Sequence, residues 1–170
     1  ADLRQPAATL MARCADGWKQ WLGTTVHLGC PDRRLTDLLE ETAVSVRVQT
    51  ADPQKAAGPM EFFAGVWVRD SVGPFKYYLR MGDFETARKM LEFYYRASAY
   101  NRTIPNWFPM DIDTTQPVPS GLDWATVRTD RVETPSWLIM QHAWYYRFTG
   151  DLEPIRQHWK YLERCLTGQL

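Results

Sequence analysis

The chain has 170 residues, enough for one domain with a sizeable core. Twenty basic and twenty acidic residues cancel to zero formal charge, which argues against a nucleic-acid partner, because phosphate binding draws on an excess of Lys and Arg. No run of ~18 apolar residues is present, so no segment is expected to span a membrane.

Aromatic residues make up 14% of the chain and include eight Trp, enough rings to fill a large helical core or to line a sugar-binding cleft. Cys14, Cys30 and Cys165 are isolated, with no CxxC and no Cys/His cluster at metal spacing. One disulfide with a spare thiol and three buried thiols both fit that spacing, so the cysteines leave the compartment open. The start, Ala1-Asp2-Leu3-Arg4, has no signal-peptide pattern and no initiator Met, and the chain is expected to be a processed protein or a piece of a longer one.

In chain order, Met11, Cys14, Ala15, Trp18, Trp21 and Leu22 recur every three or four residues and predict a helix over 7–22 ended by Gly23. A Gly- and Thr-rich connector follows to residue 33. Leu35, Leu38, Leu39, Thr42, Ala43 and Val46 form the stripe of a second helix, with Glu40 and Glu41 turned outward. Residues 52–59 read as loop and deliver the chain to Gly65-Val66-Trp67-Val68-Arg69-Asp70.

Ser71 is a plausible N-cap that puts Pro74 in a first helical turn, where its missing N–H costs little. That helix should end at Gly82, with Asp83 capping the next, whose buried stripe is Phe84, Ala87, Leu91, Tyr94 and Tyr95. The two-residue join forces a helical hairpin. Residues 98–130 keep no helical period, and a loop this long inside a domain is usually functional or disordered. Its Trp107, Phe108 and Trp124 argue against disorder.

Thr134-Pro135 predicts an N-cap followed by Pro at the first helical position, with Trp137, Met140, Trp144 and Phe148 on one face. After Gly150-Asp151, the last stripe is Ile155, Trp159, Leu162 and Leu166. Trp137, Trp144 and Trp159 are accordingly assigned to the core. Tyr77-Tyr78, Gly82-Asp83, Glu85 and Arg88 recur 68 residues later as Tyr145-Tyr146, Gly150-Asp151, Glu153 and Arg156. That period is too long for a tetratricopeptide solenoid at ~34 residues and suits a toroid of helical hairpins with long loops on one rim. No strand alternation is visible, and the expected class is all-α.

Trp67 offers a flat apolar face, Arg69 five donors in a planar fork, and Asp70 acceptors only when ionised. Such groups grip a polyol. The competing reading is a core Trp beside a helix-start ion pair. Trp107 has the same two readings, sugar platform or core. Hydrolysis of a glycoside needs two carboxyl groups, ~6.5–9.5 Å apart in inverting enzymes, with one held protonated. Asp111, Asp113, Asp123, Asp130 and Glu133 are the candidates on or beside the long loop. Glu133 alternatively favours a helix N-terminus through the macrodipole.

Asp111-Ile112-Asp113 lacks EF-hand spacing, and no metal site or cofactor is expected. His27, His142 and His158 are scattered, so spacing assembles no Ser-His-Asp or zinc set. Asn101-Arg102-Thr103 fits a glycosylation sequon, which matters only in a secreted chain.

Trp67-Val68-Arg69-Asp70 followed by Gly82-Asp83-Phe84-Glu85-Thr86-Ala87-Arg88 resembles the W-x-R-D … GD-F-E-x-A-R run of six-hairpin glycosidases. Ile104-Pro105-Asn106-Trp107-Phe108-Pro109 resembles a debranching-type L-I-P-N-R-F-P loop. Val132-Glu133-Thr134-Pro135-Ser136-Trp137-Leu138-Ile139 is similar to V-D-A-x-x-W-F-I, and Tyr145 to Asp151 is similar to Y-x-x-x-T-G-D. The motifs lie closest to the amylo-1,6-glucosidase part of glycogen debranching enzymes and to glucoamylase-like enzymes.

The resemblance implies an (α/α)6 toroid, with residues 1–30 a lead-in helix and connector and residues 31–170 the N-terminal part of the catalytic domain. It implies an exo-acting, inverting glycoside hydrolase on glucosidic oligosaccharides or polysaccharides. Arg69 and Asp70 would bind the terminal sugar, Trp67 and Trp107 would stack on it, and Glu133 would accept a sugar hydroxyl or hold Arg69. Glu133 stands where the family usually has Asp, one methylene shorter.

The family's acid and base normally lie later, so both are expected after Leu170, and the remainder of the same catalytic domain is the expected protein partner. Two rival readings remain. One keeps the toroid but makes the enzyme a phosphorylase, lyase or epimerase, since one fold hosts many chemistries; lyases and epimerases usually lean on His or Tyr, and only His142 is in a plausible position. The other is a non-catalytic helical scaffold or sugar-binding module.

Overall fold

A computed structural model describes residues 5–52, 55–56, 65–109, 112–129 and 133–167. Among them the chain is mostly helical, with seven α-helices: α1 (Ala7–Gly23), α2 (Arg33–Val48), α3 (Val72–Met81), α4 (Phe84–Ser98), α5 (Thr134–Thr149), α6 (Glu153–Gln157) and α7 (Trp159–Thr167). Among the described residues no helix is long and apolar enough to cross a membrane.

Both predicted joins are present. Gly82 (φ 77°) and Gly150 (φ 72°) stop α3 and α5 in the left-handed region, which costs a residue without Cβ little. Asp83 then caps α4, its Oδ1 accepting from the Thr86 N–H at 3.0 Å, whereas Asp151 stands one place before the Leu152 N-cap of α6 and its Oδ1 accepts from the Glu153 N–H at 2.9 Å. The second carboxylate oxygen reaches across to a different element. Trp21 Nε1 donates to Asp83 Oδ2 at 2.9 Å, and Arg88 Nη1 to Asp151 Oδ2 at 2.9 Å. The join is therefore a cap and a cross-link in one residue.

Two apolar clusters fill the interior. Phe75, Tyr78, Leu79, Ala87, Met90, Leu91 and Tyr145 pack between α3, α4 and α5. Val66, Val68, Phe93, Tyr94, Phe108, Leu138 and Leu162 form part of the larger cluster, which joins α4, α5 and α7 to the segments around residues 66–68 and 104–108.

Several expectations are corrected. Among the described residues six short strands accompany the helices, a detail the all-α reading left out although the mostly helical chain is consistent with that class: β1 (Thr50–Asp52), β2 (Lys55–Ala56), β3 (Val66–Trp67), β4 (Thr103–Ile104), β5 (Trp107–Phe108) and β6 (Arg128–Thr129). β1–β2 and β3–β5 pair antiparallel and β4–β6 parallel. Strands of two or three residues leave no alternation in a sequence to read. They also give structure to the described residues between 98 and 129: Phe108 packs on Phe93 and Tyr94, and Trp124 sits edge-on to Tyr95. Arg164 Nη1 donates to the Ala125 carbonyl, tying the 3-10 turn Trp124–Thr126 to α7.

On α5 the buried face is Leu138, Gln141, His142 and Tyr145, one position round from the predicted Trp face. Trp137 and Trp144 are only partly buried, against the two clusters, and Phe148 is exposed. The last helix breaks at His158, which leaves Trp159 49% exposed and outside the core, while Tyr161, Leu162 and Cys165 turn inward. Phe84 and Leu166 are also exposed. Helix α1 buries none of its residues and α2 only Ala43, so the predicted stripes of Met11, Leu35, Leu38 and Leu39 face outward. All three cysteines are free thiols; Cys14 and Cys30 are exposed and Cys165 is buried, so the structure has neither the single disulfide nor the three buried thiols that the spacing left open.

Candidate functional site

The stretch from Val66 to Ser71 divides its side chains by position. Val66, Val68 and Ser71 are buried, whereas Arg69 and Asp70 are exposed and Trp67 lies between. Along the first half burial alternates, with Val66 and Val68 inward and Trp67 between them, because successive side chains of an extended strand point to opposite faces. A turn then carries the chain into α3: the Ser71 N–H donates to the Trp67 carbonyl at 2.9 Å and the Val72 N–H to the Arg69 carbonyl at 3.2 Å. Ser71 marks the helix start, but its backbone is already helical and its side chain makes no cap hydrogen bond.

The turn is held from both sides. The Val68 N–H donates to the Asn106 carbonyl at 2.9 Å, and the Val68 carbonyl accepts from Gln141 Nε2 at 3.4 Å. Gln141 is fully buried on α5. A buried amide spent on one backbone carbonyl makes sense at a turn whose path must be fixed.

Strand pairing sets Trp67 directly opposite Trp107, with ring centroids 6.3 Å apart and planes inclined by 53°. Trp107 is 42% exposed and is not core, while its neighbour Phe108 takes the buried side of β5. Arg69 lies between two carboxylates: Nε is 3.4 Å from Asp70 Oδ2 and Nη1 is 3.5 Å from Glu133 Oε1. Glu133 Oε1 also accepts from Asn106 Nδ2 at 3.5 Å. Glu133 precedes α5 and does so without a side-chain cap, so its carboxylate points to Arg69 and Asn106 rather than to the helix N–H groups.

The five sequence-derived candidates fall into two contact groups, Trp67 with Trp107 by ring contact and Arg69 with Asp70 and Glu133 by charge. Side chains this exposed hold one another weakly, and their donors and acceptors remain accessible to a ligand.

The other candidate carboxylates do different work. Asp113 Oδ1 accepts from the N–H and hydroxyl of Thr115, an Asx-type turn within the loop. Asp123 caps the 3-10 turn through the Ala125 N–H and lies 3.8 Å from Lys160 Nζ. Asp111 and Asp130 lie outside the described residues. Among the described residues no group of three side chains is placed to hold a metal ion.

Sequence spacing missed Asn106, Gln141 and a histidine cluster. Asn106 sat inside the Ile104–Pro109 motif, and its place next to the platform candidate Trp107 was the available signal. Gln141 and His142 gave none, because the Trp-rich face of α5 outweighed them. His142 on α5 and His158 at the break between α6 and α7 both contact Tyr95. The Tyr95 and His158 rings stack in parallel with centroids 3.4 Å apart. His142 Nδ1 lies 2.8 Å from the Leu138 carbonyl and must donate to it, so Nε2 accepts from the Tyr95 hydroxyl at 3.3 Å.

Burial lowers the His142 pKa to about 4 against the raising effect of that carbonyl. Burial first, and the neighbouring His142 second, lower His158 to about 3. Both rings are neutral and enclosed, and His142 has both nitrogens engaged, so it offers no base to a bound substrate.

No protein-family model matches the chain, and no curated protein or solved structure shows significant similarity to it. The likeness to six-hairpin glycosidases rests on the four motifs and their order alone.

Proposed function

We propose that this chain supplies the terminal-sugar subsite of a six-hairpin glycoside hydrolase, exo-acting and inverting on glucosidic oligosaccharides or polysaccharides. The observation that carries this reading is a pair of contacts that start from one short segment: Trp67 lies against Trp107, and Arg69 lies against Asp70 and Glu133, with the buried Asn106 donating to Glu133. Stacking faces beside fixed donors and acceptors suit a neutral polyol, whose apolar ring face and equatorial hydroxyls need both.

Arg69 and Asp70 are read as holding the sugar hydroxyls, with Glu133 orienting Arg69. No residue of the chain is assigned as general acid or base. Asp113 and Asp123 are committed to turns and Glu133 to Arg69, a division of labour that favours binding over bond cleavage. The same observation supports a second reading, a sugar-binding module that performs no hydrolysis.

Titration with maltotriose, followed by NMR of Trp indole N–H groups, tests the shared part. Saturable shifts at Trp67 and Trp107 are expected. Arg69→Ala should weaken binding about tenfold or more, the scale of the ~1.5–3 kcal/mol in hydrogen bonds to a charged group. Binding unchanged in both Arg69→Ala and Glu133→Ala would sink the proposal. The purified chain should not hydrolyse maltotriose; measured turnover would overturn the assignment of acid and base to other sequence.

A further inference from the structure

Gly65 is buried one step before β3, and its φ lies outside the left-handed region, so its backbone could carry any side chain. What it lacks is room. A Cβ placed on Gly65 would lie 1.9 Å from Trp107 Nε1 and 2.7 Å from both Cδ1 and Cε2. Gly17, Gly23, Gly29 and Gly73, by contrast, have open space where a Cβ would go.

The register explains the contact. Trp67 faces Trp107 directly across the β3–β5 pair, and Gly65, two residues before Trp67, projects to the same face on the diagonal. The Trp107 indole leans over that vacant diagonal position, the arrangement by which a cross-strand aromatic covers a glycine.

We propose that Gly65 is a positioning residue for Trp107, setting the pitch of the indole and its angle to Trp67 by leaving the diagonal place empty. The consequence for ligand binding rests on reading Trp107 as a sugar platform. The clashing atoms belong to a half-exposed side chain and not to backbone. A methyl at residue 65 therefore displaces the ring while the fold persists. Displacement changes which face of the indole is presented and opens or closes the angle it makes with Trp67.

The test uses the full chain labelled with 5-fluorotryptophan, the Trp107 and Trp67 resonances being assigned from Trp107→Phe and Trp67→Phe. Gly65→Ala should shift the Trp107 fluorine resonance, and to a lesser degree that of Trp67, leaving the remaining Trp resonances in place, and should weaken maltotriose binding severalfold. An unmoved Trp107 resonance would overturn the proposal. A moved resonance with unchanged maltotriose affinity would uphold Gly65 as the determinant of ring pitch and discard Trp107 as a platform.

Should Gly65→Ala destabilise the fold, the double-mutant cycle with Trp107→Ala decides. The loss in melting temperature should disappear once the indole is absent, and an equal loss in both backgrounds would show that the ring contact is not its cause.

Discussion

At the scale of single residues, Asp83 concentrates the largest number of separable duties. One oxygen receives the Thr86 N–H, and the other receives both the Thr86 hydroxyl and the Trp21 indole N–H, with Arg47 Nη1 3.9 Å away. Asp83→Ala removes an N-cap and leaves a part-buried indole N–H without its acceptor. The expected cost is about 1–2 kcal/mol, or roughly 2–4 °C in melting temperature per kcal/mol for a chain of this size. Asp83→Asn keeps an acceptor and should lose clearly less; equal losses would mean that capping is not what Asp83 contributes.

Glycine substitutions divide by sign. Gly82→Ala and Gly150→Ala force a Cβ into the left-handed region and should each destabilise by about 1–2 kcal/mol. Gly73→Ala lies within α3 with nothing near its Cβ and should stabilise by up to ~1 kcal/mol. Urea denaturation of the three variants checks the contrast.

At the scale of elements, helix limits were legible wherever a local signal set them. The Gly-Asp joins fell where expected because the left-handed stop and the carboxylate cap act within three residues of sequence. Helix faces were less legible. On α5 the sequence offers two competing stripes, one with Trp137, Trp144 and Phe148, the other with Leu138, Gln141, His142 and Tyr145. Hydrophobicity favours the first.

The structure buries the second because Gln141 and His142 find partners inside, the Val68 carbonyl for one and Tyr95 with the Leu138 carbonyl for the other. Partners far away in sequence make a polar residue cheap to bury, and no local pattern announces them. The same reason hid the break at His158, whose ring stacks on Tyr95 of α4. At the candidate site, the motifs named Trp67, Arg69, Asp70, Trp107 and Glu133, but the space beside Trp107 and the amide behind Val68 required coordinates.

At the scale of the whole molecule, the two enclosed histidines make stability depend on acidity. Their pKa values are lowered on folding, to about 4 and about 3, from ~6.5 in the unfolded chain. Below pH ~6.5 the unfolded state therefore binds protons that the folded state does not. Stability is complete above that pH and falls through it toward the folded values. The limiting slope is about 1.4 kcal/mol per pH unit for each histidine.

Tyr95 from α4 packs on both rings and Trp124 on His158, with Tyr161 of α7 against the other side of Tyr95, and among the described residues no hydrogen bond or ion pair joins either histidine to a carboxylate. Urea midpoints between pH 6.5 and 5, above the usual carboxylate range, should decline, and His158→Phe should roughly halve the slope while keeping an aromatic on Tyr95. A wild-type midpoint flat across this interval would contradict the burial of both rings.

The division of residues 66–71 also bears on how the site can change over time. Val66, Val68 and Ser71 belong to the interior, and Arg69 and Asp70 to the surface, within a single turn of chain. On the proposal that this turn binds a sugar, mutations at the outward positions would alter recognition without touching the packing that fixes the backbone, and mutations at the inward positions would be removed by loss of folding before recognition is tried. Selection could thus redraw the ligand preference of this turn one surface residue at a time, with the geometry inherited intact.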